Sequence, residues 1–259
     1  MADDGVTAAT MRTAGGPLYL IDLRTRAVRT VPLHLDLPSG SVPNGVFRWT
    51  HQGQVVIAAG NEQHPIATAL IVDVRTGRVL HRVPVPGDPY EIAPNPSGTW
   101  LAEAGQDGQL RFVSISDGQL LAPAQVAVDG LVYNVSVSPD GRYVVTGGAP
   151  GQVRIWDTTT FREVGPTLPG PVDAGVARVR FTPDGSLVSV FTPLDGSLVQ
   201  TGGLDVASGG DLRHGPVAWV YLVGRAAWSA AACRVVGRPL TRAEWNTFLP
   251  QQPYAPACR

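Results

Sequence analysis

A four-residue turn signature recurs along the chain at a nearly constant spacing, and this recurrence limits the possible fold more than any other feature. The signature is x-Pro-Asp-Gly or a variant of it, and it closes on Gly53, Gly98, Gly141 and Gly185, which are 45, 43 and 44 residues apart. Proline fixes φ and glycine reaches positive φ, so these residues favour tight turns. A partial fifth copy stands at Asp4-Gly5. The chain therefore contains one structural unit that repeats at a fixed period.

Short strand-like segments flank each turn in the same order. An alternating segment precedes the turn, as at 133–137, and a segment of small residues follows it, as at 143–148. A fourth, edge-like segment comes after a polar turn, as at 78–83. The third segment ends on Asp or Ser in each unit: Asp22, Asp73, Ser114 and Asp157. Four short strands per unit are typical of propeller blades, so we predict an all-β fold.

The unit over 131–168 resembles a WD40 repeat. Its turn Ser138-Pro139-Asp140-Gly141 and its third strand Arg154-Ile155-Trp156-Asp157 carry the likeness, which extends more weakly over residues 1–205. The Gly-His pair that many WD40 repeats carry is absent from every unit, so these repeats are degenerate. The resemblance implies a WD40-like β-propeller of about five four-stranded blades, complete or incomplete, which is fewer than is usual for the family.

We assign residues 1–223 to propeller blades and 224–259 to a short C-terminal α-helical tail. Residues 1–33 form a partial first blade in this assignment, because the chain begins at the turn inside that blade. In the tail, helix formers over 226–236 end at Gly237, and Thr241 and Glu244 form the capping box of a second short helix.

The segment 232–258 resembles the tail that closes many bacterial WD40 proteins of the NACHT/STAND signalling-ATPase type. In those proteins the propeller follows a regulatory ATPase domain, so the resemblance favours the C-terminal part of a longer signalling protein. The ATPase itself has no counterpart here, since the sequence has no G-x-x-x-x-G-K-[ST] loop and contains no Lys. The tail also carries Cys233 and Cys258, which are either unpaired small residues or a disulfide; a cytosolic setting favours the first alternative.

Composition narrows the range of partners and locations. The formal net charge is −1, so no global field would attract nucleic acid or an anionic membrane. The first residues lack a basic and apolar leader, and the apolar stretch 216–233 is too interrupted to span a bilayer. We therefore expect a cytoplasmic protein that binds neither nucleic acid nor membrane.

The motifs of common enzymes are missing from the sequence. Its five histidines have no metal-ligand spacing, and no Gly-x-Ser-x-Gly elbow is present. Asp22, Asp73 and Asp157 could serve as acid or base groups, but their equivalent places in the repeat favour hydrogen bonds to turn amides. We predict no catalytic residue, no metal and no cofactor.

One set of positions is a candidate partner-binding rim. In WD40 folds, partners usually bind the rim that the first strand of each blade lines. Seven residues before the closing glycines stand Val46, Glu91, Asn134 and Arg178, and eight before them stand Gly45, Tyr90, Tyr133 and Ala177. Tyr and Arg are favoured anchors at interfaces. The predicted rim therefore consists of Tyr90, Glu91, Tyr133, Asn134 and Arg178; the alternative is a solvated strand edge.

The function that these observations favour is a non-catalytic scaffold that binds a protein partner of unknown identity. A propeller enzyme of the lactonase or hydrolase type is the alternative, with carboxylates, Asn or His converging on the central channel. A truncated remnant without independent function is a third possibility, because the chain begins inside a blade.

Overall fold

Short antiparallel strands make up nearly all of the regular structure. The computed structural model describes residues 7–11, 16–37, 39, 41–50, 53–61, 67–87, 89–168, 170, 174–182, 185–193, 217–221, 223, 238 and 241–244. The strands are β1 (Thr7–Met11), β2 (Leu18–Asp22), β3 (Val28–Val31), β4 (Val42–Trp49), β5 (Gln54–Gly60), β6 (Thr68–Asp73), β7 (Val79–Pro84), β8 (Pro89–Pro94), β9 (Trp100–Gly105), β10 (Gln109–Ser114), β11 (Gln125–Val126), β12 (Val132–Val137), β13 (Tyr143–Gly148), β14 (Val153–Asp157), β15 (Arg162–Glu163), β16 (Ala174–Phe181), β17 (Leu187–Pro193) and β18 (Val217–Tyr221).

These strands form five sheets in a propeller arrangement, which confirms the predicted all-β propeller. Each sheet is a meander of sequential strands, and we number them as blades: blade 1 is β1–β3, blade 2 is β4–β7, blade 3 is β8–β11, blade 4 is β12–β15 and blade 5 is β16–β18. Blades 2, 3 and 4 have four strands, and blades 1 and 5 have three among the described residues.

The turn between the first two strands of a blade has the geometry that the signature predicts. Gly53, Gly98, Gly141 and Gly185 lie at φ of 67°, 67°, 73° and 82°. In blades 3, 4 and 5 the glycine amide donates to the carbonyl three residues earlier, at 2.9 Å in each case. The repeated turn therefore sets where the second strand of each blade begins.

The aspartates that end the third strands have the structural role predicted for them. The Oδ1 atoms of Asp22, Asp73 and Asp157 each accept hydrogen bonds from the amides two and three residues later, at 2.8 to 3.0 Å. Hydrogen bonds from backbone amides, chiefly those of Thr25 and Thr76, hold the pKa values of Asp22 and Asp73 below their ordinary range. Each carboxylate thus fixes the turn into the outermost strand.

The hydrophobic core lies between neighbouring blades, and strand alternation builds it. In β5, Val55 and Ile57 face a cluster shared with blade 1, whereas Val56 and Ala58 face one shared with blade 3. A third cluster joins blades 3 and 4 and contains Trp156. Because central strands are covered on both faces, successive residues of β5 are buried even though they point in opposite directions.

Residues 220–259 form a second compact unit, whose first two residues are the end of β18. The Thr241 amide donates to Glu244 Oε2 at 2.8 Å, and the Glu244 amide donates to Thr241 Oγ1 at 3.3 Å. These two bonds are the reciprocal pair of the predicted capping box, and residues 242–244 are helical. The predicted helix over 226–236, Cys233 and Cys258 lie outside the described residues.

Within the described part of the chain, no helix has the length and apolar character that crossing a bilayer requires.

The buried Trp156 and Thr146 provide a test of the core of blade 4. Trp156 Nε1 donates to Thr146 Oγ1 at 3.0 Å, from neighbouring strands. We expect Thr146→Val to lower the free energy of unfolding by about 1–3 kcal/mol, because the indole N–H loses its acceptor while the shape is kept. Urea unfolding measures the change. The exposed Thr30→Val is the control, and an equal loss in both variants would contradict the role of this bond.

Candidate functional site

The innermost strands of all five blades surround a central cavity of about 580 Å³. Each blade contributes two adjacent residues: Ala8 and Ala9, Arg48 and Trp49, Ala93 and Pro94, Ser136 and Val137, and Arg180 and Phe181. In blades 2 to 5 these residues stand five and four positions before the closing glycine of the turn. The repeat therefore brings equivalent positions to one cavity, and their differences give it its chemistry.

A buried carboxylate beside this cavity binds groups from three other blades. Glu91 of β8 is only 5% exposed. Its Oε1 atom accepts from Arg180 Nη2 at 2.9 Å and forms an ion pair with Arg48 Nη2. Its Oε2 atom accepts from Asn134 Nδ2 and from the Val135 amide, the latter at 3.4 Å. Both carboxylate oxygens are therefore occupied.

A series of hydrogen bonds, here called the relay, links the innermost strands of blades 3, 4 and 5. Asn134 Oδ1 accepts from the Val179 amide at 2.8 Å, just as Glu91 accepts from the Val135 amide. Ser136 Oγ accepts from the Phe181 amide at 3.2 Å. In each case a side chain on one innermost strand binds the backbone of the next. The relay satisfies amides that would otherwise be buried without partners.

The two arginines give the cavity wall a positive charge. Burial and the nearby Arg180 lower the pKa of Arg48 to about 10, and burial lowers the pKa of Arg180. Both guanidinium groups stay charged at neutral pH. Because Glu91 supplies a single negative charge, the three groups together carry a net charge of +1.

The five residues of the predicted rim occupy two different environments. Glu91 and Asn134 are buried and bind each other. Tyr90 and Tyr133 form an aromatic pair between blades 3 and 4, with ring centroids 5.2 Å apart, and Tyr90 is 42% exposed. The side chain of Arg178 is exposed on the innermost strand of blade 5.

A β-bulge accounts for the placement of the two tyrosines. The pairing of β8 with β9 skips Tyr90, and the pairing of β12 with β13 skips Tyr133. A bulge inserts one residue and redirects its side chain. As a result, the two tyrosines do not take part in the regular pairing of their strands, whereas the residues that follow them, Glu91 and Asn134, are paired and buried.

Sequence reasoning did not select Arg48 and Arg180. They stand two positions closer to the turn than Glu91 and Asn134 do, at five rather than seven residues before the glycine. A comparison of the repeats at that position shows two arginines against Ala93 and Ser136. Two charged residues at a repeat position that otherwise holds small residues are the sequence signal that could have identified them.

A second buried carboxylate lies within blade 3. Glu103 faces Arg111 across β9 and β10, with Oε1 3.1 Å from Arg111 Nη1, and Arg111 also binds Asp107. The Glu103 side chain is fully buried, and its Oε2 atom has no hydrogen-bond partner. Burial raises the pKa of Glu103 to about 7, although Arg111 acts in the opposite direction.

Comparison with known proteins supports the fold and one repeat. The WD domain, G-beta repeat family (WD40) matches residues 126–157, which contain most of blade 4. No curated protein sequence matches the chain. The solved structure of Kuenenia stuttgartiensis hydrazine synthase is similar with a TM-score of 0.56 and 18% identity, over 79% of this chain. The chain spans 57% of that structure's length, and at this identity the likeness shows the fold alone.

Removing the charge of Glu91 tests the network. We expect Glu91→Gln to lower the free energy of unfolding by about 1–3 kcal/mol, because two partly buried guanidinium groups lose their counter-charge. Chemical denaturation measures the change. Glu163→Gln is a matched control, since Glu163 pairs with Arg154 at 3.3 Å in a more exposed setting. Equal effects of the two variants would contradict a central role for Glu91.

The pKa of Glu103 predicts a specific pH dependence. The folded state holds the proton up to about pH 7, whereas the unfolded state releases it near its ordinary value. The stabilisation by the protonated form is therefore present at low pH and lost as the pH rises to 7, a change of about 3 kcal/mol. Relative to Glu103→Gln, the wild type should lose stability over this interval in denaturant titrations.

Asp117→Asn is the control for that titration. The Ser114 hydroxyl and the Gln119 amide hold the pKa of Asp117 below its ordinary value. The wild type should therefore gain stability relative to this variant as the pH rises through the acid range. A constant difference between wild type and Glu103→Gln from pH 4 to 8 would contradict the assignment.

Proposed function

We propose that this propeller is a non-catalytic scaffold that binds a protein partner at the tyrosine pair. The observation that carries the proposal is the pair of bulges that place Tyr90 and Tyr133 in contact at the surface. A partly exposed aromatic pair, with Arg178 exposed on the next innermost strand, has the composition of an interface anchor.

The buried members of the predicted rim support this surface from below. Glu91 follows Tyr90 directly, and Asn134 follows Tyr133, so the hydrogen bond between Asn134 and Glu91 fixes the two strands that carry the tyrosines. Side chains held in place lose little conformational entropy on binding. A rigid aromatic pair is therefore a more effective anchor than two mobile ones would be.

The chemistry beside the cavity gives less support to a propeller enzyme. A general base needs an unprotonated group with a lone pair that can reach the substrate proton. Both oxygens of Glu91 already accept hydrogen bonds from other blades, and two arginines stabilise its charged form. Its contacts suit a structural role better than proton transfer.

We further propose that the scaffold is the sensor portion of a larger cytoplasmic signalling protein. The resemblance of the segment 232–258 to the tails of NACHT/STAND proteins motivates this, and the capping box of Thr241 and Glu244 is consistent with a defined helix there. In such a protein, partner binding on the blades would regulate an ATPase domain.

Substituting two anchors tests the proposed surface. We expect Tyr133→Ala combined with Arg178→Ala to reduce partner recovery at least about tenfold, since truncating an interface anchor costs about 1–2 kcal/mol or more. Quantitative pull-down from the native host measures the recovery, and thermal melting checks the fold.

The control variant combines Val126→Ala with Arg162→Ala. Both residues are exposed on the outermost strands of blades 3 and 4, so the variant removes one apolar and one cationic side chain away from the tyrosines. Recovery should equal that of the wild type. If the anchor variant recovers its partner as well as this control does, the surface assignment is wrong. A broad, non-cooperative melt of the wild type would instead favour a truncated remnant.

A further inference from the structure

We propose that the central cavity binds a small organic carboxylate with an apolar body. This site is separate from the proposed partner surface, because blades 2 to 5 line it with the positions five and four residues before the turn glycine, and not with the tyrosines. Its volume of about 580 Å³ lies within the range of small-molecule sites, which is about 300–1,000 Å³.

The polar groups of the cavity are hydrogen-bond donors. Arg180 places a guanidinium at the wall, with about half of its side chain exposed and one Nη2 contact to Glu91. Ser136 lines the same cavity, and a hydroxyl can donate as well as accept. A half-exposed guanidinium beside a hydroxyl favours an anionic ligand.

The charge of the wall selects a monoanion. The Arg180 guanidinium is the half-exposed positive charge of the lining, so one carboxylate matches it in charge. A dianion such as phosphate would be repelled more strongly by Glu91, which lies within hydrogen-bond distance of Arg180. Glu91 thus lowers the affinity for multiply charged ligands and holds Arg180 in position.

The remaining side chains of the lining are apolar. Trp49, Pro94, Val137 and Phe181 supply a surface that suits a ring or a branched chain. Burial of such a body adds to the affinity in proportion to the apolar area removed from water. The combination of one anionic group and an apolar body defines the ligand class.

Titration calorimetry of the full chain with benzoate tests the proposal. We expect one benzoate per chain, with inorganic phosphate, acetate and uncharged benzyl alcohol each bound at least about tenfold more weakly. Acetate tests the contribution of the apolar body, and benzyl alcohol tests that of the charge.

Two variants locate the binding in the cavity. Arg180→Ala should weaken benzoate at least about tenfold, because the exposed guanidinium is lost. Ala8→Phe should block the cavity without changing any charge, since Ala8 lines it on β1. Arg162→Ala, on the outer strand β15, removes an exposed arginine elsewhere and should bind benzoate as the wild type does.

Three results would overturn the proposal. The first is no benzoate binding by the folded wild type at about 10 mM. The second is equal affinity for benzyl alcohol, which would mean that the charge has no role. The third is unchanged binding in a folded Ala8→Phe variant, which stays informative if Arg180→Ala fails to fold. None of these results bears on the tyrosine surface, which the pull-down tests separately.

Discussion

The centre of this propeller depends on the interactions of the Glu91 carboxylate. This carboxylate lies on blade 3 and binds the side chains of Arg48, Asn134 and Arg180 and the Val135 amide, which come from blades 2, 4 and 5. A buried charge is costly unless it is fully paired and hydrogen-bonded. Glu91 meets that condition only when the innermost strands of four blades are in place. The pairing of this one group therefore depends on the arrangement of the other three blades.

Apolar packing and the polar centre have different roles in the fold. The clusters between blades are built from Val, Ile, Leu and Ala, and such packing holds neighbouring sheets together without fixing their register closely. The relay through Asn134 and Ser136 is directional, since each oxygen meets one particular amide of the next strand. Glu91 also binds the arginines of the cavity wall, and Glu91 and Asn134 directly follow the two surface tyrosines. A single network therefore supports both proposed sites.

The parts of the fold that depend on local chemistry were predictable from the sequence. The glycine turns and the aspartates that end the third strands follow from backbone preferences within a few residues, and Gly141 and Asp157 are where the pattern places them. The contacts of Glu91 were not predictable in this way. Arg180 is 89 residues away, and its approach depends on the order of blades around the centre. The bulges at Tyr90 and Tyr133 were not predictable either, because counting back from the turn glycines does not reveal an inserted residue.

The relay has a consequence for the motions of the molecule. Opening any one of the innermost strands β4, β8, β12 and β16 would leave the Glu91 charge or a neighbouring amide without its partner. These four strands should therefore open together as one cooperative unit rather than singly. Hydrogen–deuterium exchange would show this as a shared protection factor for the Val135 and Val179 amides, well above that of the outer strands β7 and β15.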